Sequence, residues 1–288
     1  MQVPGAVRPA SGSGRLPQIV ALLALVLAVT ASPPAAGQEP PPPPPVAYGT
    51  GLEFTSLSNQ PIAGLLDRGS YEFDLRMYPA GGVYTFVTLG FLRSLNVGFS
   101  YGADNVVGRG KVNWNPNVEF QIKLRIIPES VVMPALALGY SSQGYGPWVP
   151  DLDRYTIKSP GFYAVASKNY RFLGELGLHI GANKTREGVD RDLNFFAGVD
   201  KSVGPEIYLI AEYDLSWNDD EDQDLGYGSG YLNIGFKWAA SERLRLEFYF
   251  TNLLDNVREQ GRSATIDNIA RTLGGAGREL RIVYVDWF

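Results

Sequence analysis

From Ser70 to the C-terminal Phe288 the chain alternates apolar and polar positions with a period of two, the pattern of strands whose successive side chains point to opposite faces. The clearest segment is 118–126, where Val118, Phe120, Ile122, Leu124 and Ile126 oppose Glu119, Gln121, Lys123 and Arg125. Tyr71, Phe73, Leu75 and Met77 likewise oppose Glu72, Asp74 and Arg76. Leu244, Leu246, Phe248 and Phe250 oppose Arg245 and Glu247. In the last stretch, RELRIVYVDWF, Leu280, Ile282, Tyr284 and Phe288 form one stripe, against Glu279, Arg281, Val283, Val285 and Trp287.

Tight turns are expected at Arg93, Pro128, Phe172, Gly204 and Ser241, with long loops between them at 103–117, from about 141 to Tyr155, and at 183–190, 218–230 and 255–277. One strand is expected to run from Ile207 to Trp217. Outer-membrane barrels have short periplasmic turns and long outer loops. Counting back from a periplasmic Phe288 gives twelve strands, the first rising from the periplasm at Ser70. Within 255–277, Ile266, Ile269, Ala270 and Leu273 recur at helical spacing ahead of Gly274, which predicts a short helix.

Alternation alone also fits a soluble β-sandwich, with the charged parity facing water. Segments of 9–11 residues suit tilted membrane strands. Tyr71, Phe91, Trp217, Trp238 and Phe288 fall where an interfacial aromatic girdle belongs. In lipid every backbone polar group needs an internal partner, so a closed barrel is the β solution. The expected fold is therefore all-β: a transmembrane antiparallel up-and-down barrel over 70–288.

Composition adds export and subtracts several functions. Residues 1–37 read as a signal peptide, with Arg8 and Arg15 before the apolar run Ile19–Val29 and cleavage after Ala31 or Gly37. Residues 38–48 form a Pro-rich tether with six consecutive prolines, Pro40 to Pro45. Residues 49–69 lack clean alternation and are expected either to stay periplasmic or to plug the lumen. The formal net charge is −5, and the leader takes two arginines and no acid with it, so nothing basic enough for nucleic acid remains. Cysteine is absent, which excludes disulfides, thiolate metal sites and a lipidated Cys.

The charged parity would line the lumen: Glu72, Asp74, Arg76, Glu119, Lys123, Arg125, Glu212, Asp214, Lys237, Arg245, Glu247 and Arg281. Lys123 and Arg125 set against Glu206, Glu212 and Asp214 would make either a salt-bridged filler or a transverse field that orients polar solutes. Tyr84, Tyr163, Tyr208 and Tyr249 share this parity and offer either packing or stacking faces. His179, the sole histidine, stands between Gly177 and Gly181 with no Ser or Asp assignable beside it, which favours packing over catalysis. The acidic loop Asp219, Asp220, Glu221, Asp222 and Asp224 lacks EF-hand spacing and reads as a solvated surface rather than a Ca²⁺ site. The polar loop 108–116, with Arg109, Lys111 and Trp114, is a candidate contact for lipopolysaccharide phosphates or for polymer. No catalytic residue, metal site or cofactor is expected.

A terminal strand ending in Phe resembles the C-terminal signal of bacterial outer-membrane barrels, with Asp286 standing where that pattern usually has an apolar residue. LNVGFSYG at 95–102, VNWNP at 112–116, MPALALGY at 133–140, FYAVASKNY at 162–170, FFAGVDKSV at 195–203 and YLIAEYDL at 208–215 resemble the YjbH-type outer-membrane family. The resemblance covers about 50–255 and carries no catalytic motif. It implies an outer-membrane protein of a Gram-negative bacterium linked with exopolysaccharide production. Several members are lipoproteins, a form that a chain without Cys does not share. Expected partners are outer-membrane lipid and lipopolysaccharide, the barrel-assembly machinery through the C-terminal strand, and polysaccharide or its secretion apparatus. The function expected is non-enzymatic passage or secretion of exopolysaccharide or polar solutes; the alternatives are a general narrow porin and an outer-membrane hydrolase centred on His179.

Overall fold

The computed structural model describes residues 53–221, 224–257 and 275–288. Its strands are β1 (Ser70–Tyr78), β2 (Gly82–Leu92), β3 (Leu95–Asp104), β4 (Asn113–Trp114), β5 (Glu119–Ile127), β6 (Ala135–Ser141), β7 (Tyr145–Val149), β8 (Arg154–Ile157), β9 (Gly161–Arg171), β10 (Glu175–Lys184), β11 (Asn194–Ser202), β12 (Ile207–Asp214), β13 (Tyr231–Ala239), β14 (Leu244–Thr251) and β15 (Gly277–Trp287). Twelve of them pair antiparallel in the order β1-β2-β3-β5-β6-β9-β10-β11-β12-β13-β14-β15, and β15 returns to β1 to close the barrel. The closing pair runs from Ser70 opposite Trp287 to Met77 opposite Leu280, so the twelve-stranded wall itself has no open edge. β4 is a two-residue addition to β3, and β7 and β8 pair with each other in a separate small sheet.

The burial pattern decides between membrane barrel and soluble sandwich. Phe120 and Ile122 are 48% and 41% exposed, while Glu119, Lys123 and Arg245 are buried. The same inversion recurs around the wall, with Phe73, Phe99, Ile180, Leu209 and Phe236 all facing outward. A continuous apolar exterior of this extent is what lipid covers. With a closed ladder satisfying the backbone, the chain is a transmembrane barrel of the bacterial outer membrane.

Aromatic side chains gather at both ends of this belt. At the periplasmic end Tyr71 stacks on Phe288 at 6.4 Å, and Phe91 and Trp238 lie exposed near the ends of β2 and β13. At the outer end Trp217 packs edge-on to Phe195 at 5.5 Å, joined by Trp114 stacked on Tyr101 at 5.7 Å and Phe162 against Tyr140. Asp286 sits at the periplasmic rim and is bonded by Arg243 and the Tyr284 hydroxyl, which explains a carboxylate on the outward parity.

Two sequence readings change. β12 ends at Asp214 rather than Trp217, because Ser216 turns into the left-handed region at φ 56°. The loop expected up to Tyr155 contains the β7–β8 hairpin. The helix expected around 266–273 lies outside the described residues.

Candidate functional site

The lumen is occupied by two segments, one from each end. Residues 53–66 enter and leave at the periplasmic rim. Glu53 is paired there with Arg125 at 2.8 Å, and Gly69 accepts from the Phe288 amide at 3.0 Å. Between these points the chain forms a tight hairpin, with Ser56 bridged to Pro61 and the Leu57 amide donating to the Gln60 carbonyl at 2.9 Å. No strand periodicity is needed for so short a turn, which is why 49–69 showed none.

The wall grips this hairpin mainly through its backbone. The amides of Ser58, Asn59 and Gln60 all donate to the Glu212 carboxylate, at 2.8–3.1 Å. Successive amides converging on one anion form a concave nest, here filled by a side chain of the barrel itself. Asn233 donates to the same carboxylate at 2.7 Å. Cations take the carbonyls: Lys123 reaches those of Thr55, Ile62 and Gly64, and Lys237 that of Ser56. Arg76 donates to the Asn59 side chain, and the Tyr249 hydroxyl to the Leu57 carbonyl at 3.1 Å. Apolar contacts complete the seat. Phe54 packs edge-on to Tyr208 at 5.0 Å with the Lys237 ammonium 4.3 Å from its ring centre. Leu57 fits over Gly198, where a Cβ would lie only 2.1 Å from the leucine Cδ1.

The buried charges of β1, β13, β14 and β15 neutralise one another. Glu247 is the hub, facing Arg245 at 2.5 Å, Arg281 at 3.2 Å and Lys237 at 3.8 Å. Arg281 also pairs with Asp74, Arg76 with Glu279, and Arg245 with Glu72. Charges taken out of water persist only when paired in this way.

The second segment is the β7–β8 hairpin, folded inward from the outer loops. Arg154 is buried against Asp219 and Asp224, and Lys158 lies 2.9 Å from Asp224. Tyr155 bonds Glu119 at 3.2 Å, and Tyr84 donates to the Gly146 carbonyl. The Tyr145 hydroxyl reaches the Asn59 carbonyl at 3.0 Å, so the two hairpins touch. Two acids of the loop 218–230 are thus counter-ions for this hairpin rather than free surface charges. Among the described residues no group of three or more His, Asp or Glu side chains is arranged to hold a metal ion.

Every residue expected to line the lumen stands on its inner face. Their partners differ from those expected. Lys123 and Arg125 face the plug, Glu212 and Asp214 also face the plug, and Glu206 lies exposed in the turn before β12. Tyr84, Tyr208 and Tyr249 are fully engaged in packing and hydrogen bonds, and only Tyr163 of the four borders open space.

His179 has the neighbours that the sequence reading did not assign. Its Nδ1 is 2.8 Å from Ser167 Oγ and its Nε2 2.7 Å from Asp200 Oδ1, all three residues being buried. Ser167 Oγ also accepts the Ala63 amide of the plug at 2.9 Å. The glycine before His179 on its parity has a specific reason: a Cβ on Gly177 would stand 2.3 Å from Asp200 Oδ1. This pairing was accessible to sequence reasoning. The turn between Arg171 and Glu175 sets the register, and stepping four residues back and four forward from it brings Ser167 opposite His179.

No protein-family model matches the sequence. No curated protein matches it either. Among solved structures the chain is similar to the KdgM porin, at 8% identity over 75% of this chain and 98% of that one, with a TM-score of 0.46. The NanC porin gives 8% identity, 76% and 99% coverage and a TM-score of 0.41. The Acinetobacter baumannii outer membrane protein Omp33 gives 8% identity, 76% and 97% coverage and a TM-score of 0.40. At these values the likeness is one of barrel form.

Proposed function

We propose that this outer-membrane barrel is a gated passage for polar solutes, narrowed from the outer side by the β7–β8 hairpin and closed in the described state by hairpin 53–66. The observation that carries the reading is the seating of the hairpin tip, whose three amides share the single carboxylate of Glu212. Bonds of this kind can be exchanged for water at a net cost of about 1.5–3 kcal/mol each where a charge is involved. Both ends of the hairpin lie at one rim, so it can leave without disturbing the wall. A role in the passage or secretion of exopolysaccharide, rather than of small solutes at large, rests on the resemblance of the strand sequences to the YjbH-type family.

Planar-bilayer conductance of the refolded protein tests the gate. The full chain should be closed for most of the record, with rare openings, and Glu212→Ala should raise the open fraction at least tenfold. A steady open conductance in the full chain, or an unchanged closed fraction in Glu212→Ala, would overturn the reading.

The Ser167, His179 and Asp200 contacts favour a second reading, a hydrolase whose nucleophile the plug covers. A fluorophosphonate probe should then label Ser167 in Glu212→Ala and leave Ser167→Ala unlabelled. Absence of labelling in the loosened protein removes this alternative.

A further inference from the structure

The lumen is filled unevenly. Between the hairpin tip and the half of the wall that carries β2, β3 and β5 lies a cavity of about 60 Å³. At roughly 10–15 Å³ of such space per water, it takes about four to six water molecules. That is room for one small organic solute and too little for a polymer chain.

The groups that face this space divide by chemistry. Its charged groups are already engaged, with Asp74 paired to Arg281, Arg76 to Glu279, and the Lys123 ammonium donating to carbonyls of the plug. Three of its residues still carry polar atoms without partners. Asn96 is buried, and neither its amide nitrogen nor its amide oxygen meets a protein partner. The Ser58 hydroxyl and the second oxygen of Asp74 are equally unmet. Buried polar atoms without partners are costly, so this cluster is completed by something that enters the cavity. An amide with both ends unmet needs a donor and an acceptor close together, and adjacent hydroxyl groups supply both. The Tyr163 ring lines the same space and offers an apolar face for the C–H side of such a molecule.

We propose that this cavity binds one small uncharged polyhydroxyl solute, a polyol or a single sugar unit, while the passage is closed. The proposal rests on the gated-passage reading and adds a ligand class and a position to it. The carboxylates and guanidinium groups here are paired, and the Lys123 ammonium already donates to three plug carbonyls, so an ionic ligand finds no free charged contact and a neutral solute is preferred over its carboxylate analogue.

Saturation-transfer NMR on the full detergent-solubilised chain tests it, with erythritol and glucose as probes and glucuronate as the charged control. The neutral probes should receive saturation and glucuronate should not. Asn96→Leu should weaken binding roughly tenfold or more, the scale expected when a paired polar group is lost. Ser58→Ala, which leaves the wall intact, should weaken it less. Heat-dependent gel mobility verifies that each variant still forms the barrel. No transfer to either neutral probe, equal transfer to glucuronate, or binding undiminished in both variants would overturn the proposal. Conductance of Glu212→Ala separates this from the underlying reading. A variant that conducts while the parent binds no polyol retains the passage and rejects the site, and binding without any conduction rejects the passage alone.

Discussion

Across the lumen, the wall made by β12 to β15 and β1 faces the wall made by β2, β3, β5 and β6, and the two are built from different side chains. The first carries Arg76, Glu212, Lys237, Arg245, Glu247, Tyr249 and Arg281, long groups that meet one another and the plug. The second carries Thr88, Asn96, Gly98, Ser100, Ala135, Ala137 and Gly139, which reach only a short way inward. Lys123 and Arg125 are its two long arms that hold the plug. The reach of the charged side chains thus sets the side on which the inserted hairpin seats. One wall holds the hairpin, and the other leaves a gap that remains polar.

Perturbing each wall in turn tests this asymmetry. The largest effect is expected from Glu247→Leu, which strands Arg245, Arg281 and Lys237 without their shared counter-ion. Breaking a buried pair from one side costs about 3–5 kcal/mol, and the temperature at which the folded gel band disappears should fall accordingly. Next is Gly198→Val, which fills the socket of Leu57. Overpacking costs about 1–3 kcal/mol, and the cost should appear as protease sensitivity of 53–66 with the barrel band intact. Thr88→Val on the slack wall removes only the bond from Gln121, at 2.7 Å, and should cost about 0.5–1.5 kcal/mol. A loss as large as that of Glu247→Leu would show that the two walls are not distinct.

The smallest effect concerns the outer hairpin. Burial pushes the Glu187 carboxyl up from 4.5 to about 7, and its oxygen accepts the Tyr155 amide at 3.0 Å. Because the folded state binds this proton more tightly than an open chain does, the hairpin is best held below pH 4.5, and its hold weakens as the pH rises through about 7. Hydrogen-exchange protection of the Tyr155 amide, corrected for intrinsic rate, should decline over that interval, and Glu187→Gln should flatten the dependence.

How legible these regions were follows from what constrains them. The exterior was plain in the sequence because lipid imposes one demand on every strand, so Phe120 and Leu280 obey the same parity. The loop rhythm gave the strand number for a similar reason. Charge pairing was not legible. Arg76 meets Glu279 across a wall that closes only when the first and last strands come together, about 200 residues apart in the chain. The plug was invisible to periodicity, since Ser58 to Gln60 act through backbone amides that any residue supplies. The β7–β8 hairpin was hidden by a Gly- and Pro-rich composition typical of a loop. Ser167 beside His179 was within reach, from the register of one tight turn.

The placement of Glu53 and Gly69 at the same rim has a topological consequence. The segment between them is laid into the cylinder as a doubled loop and is never threaded through it. In the proposed gate its withdrawal would undo no ladder bond between the wall strands. A stopper so placed would leave and return with the wall intact.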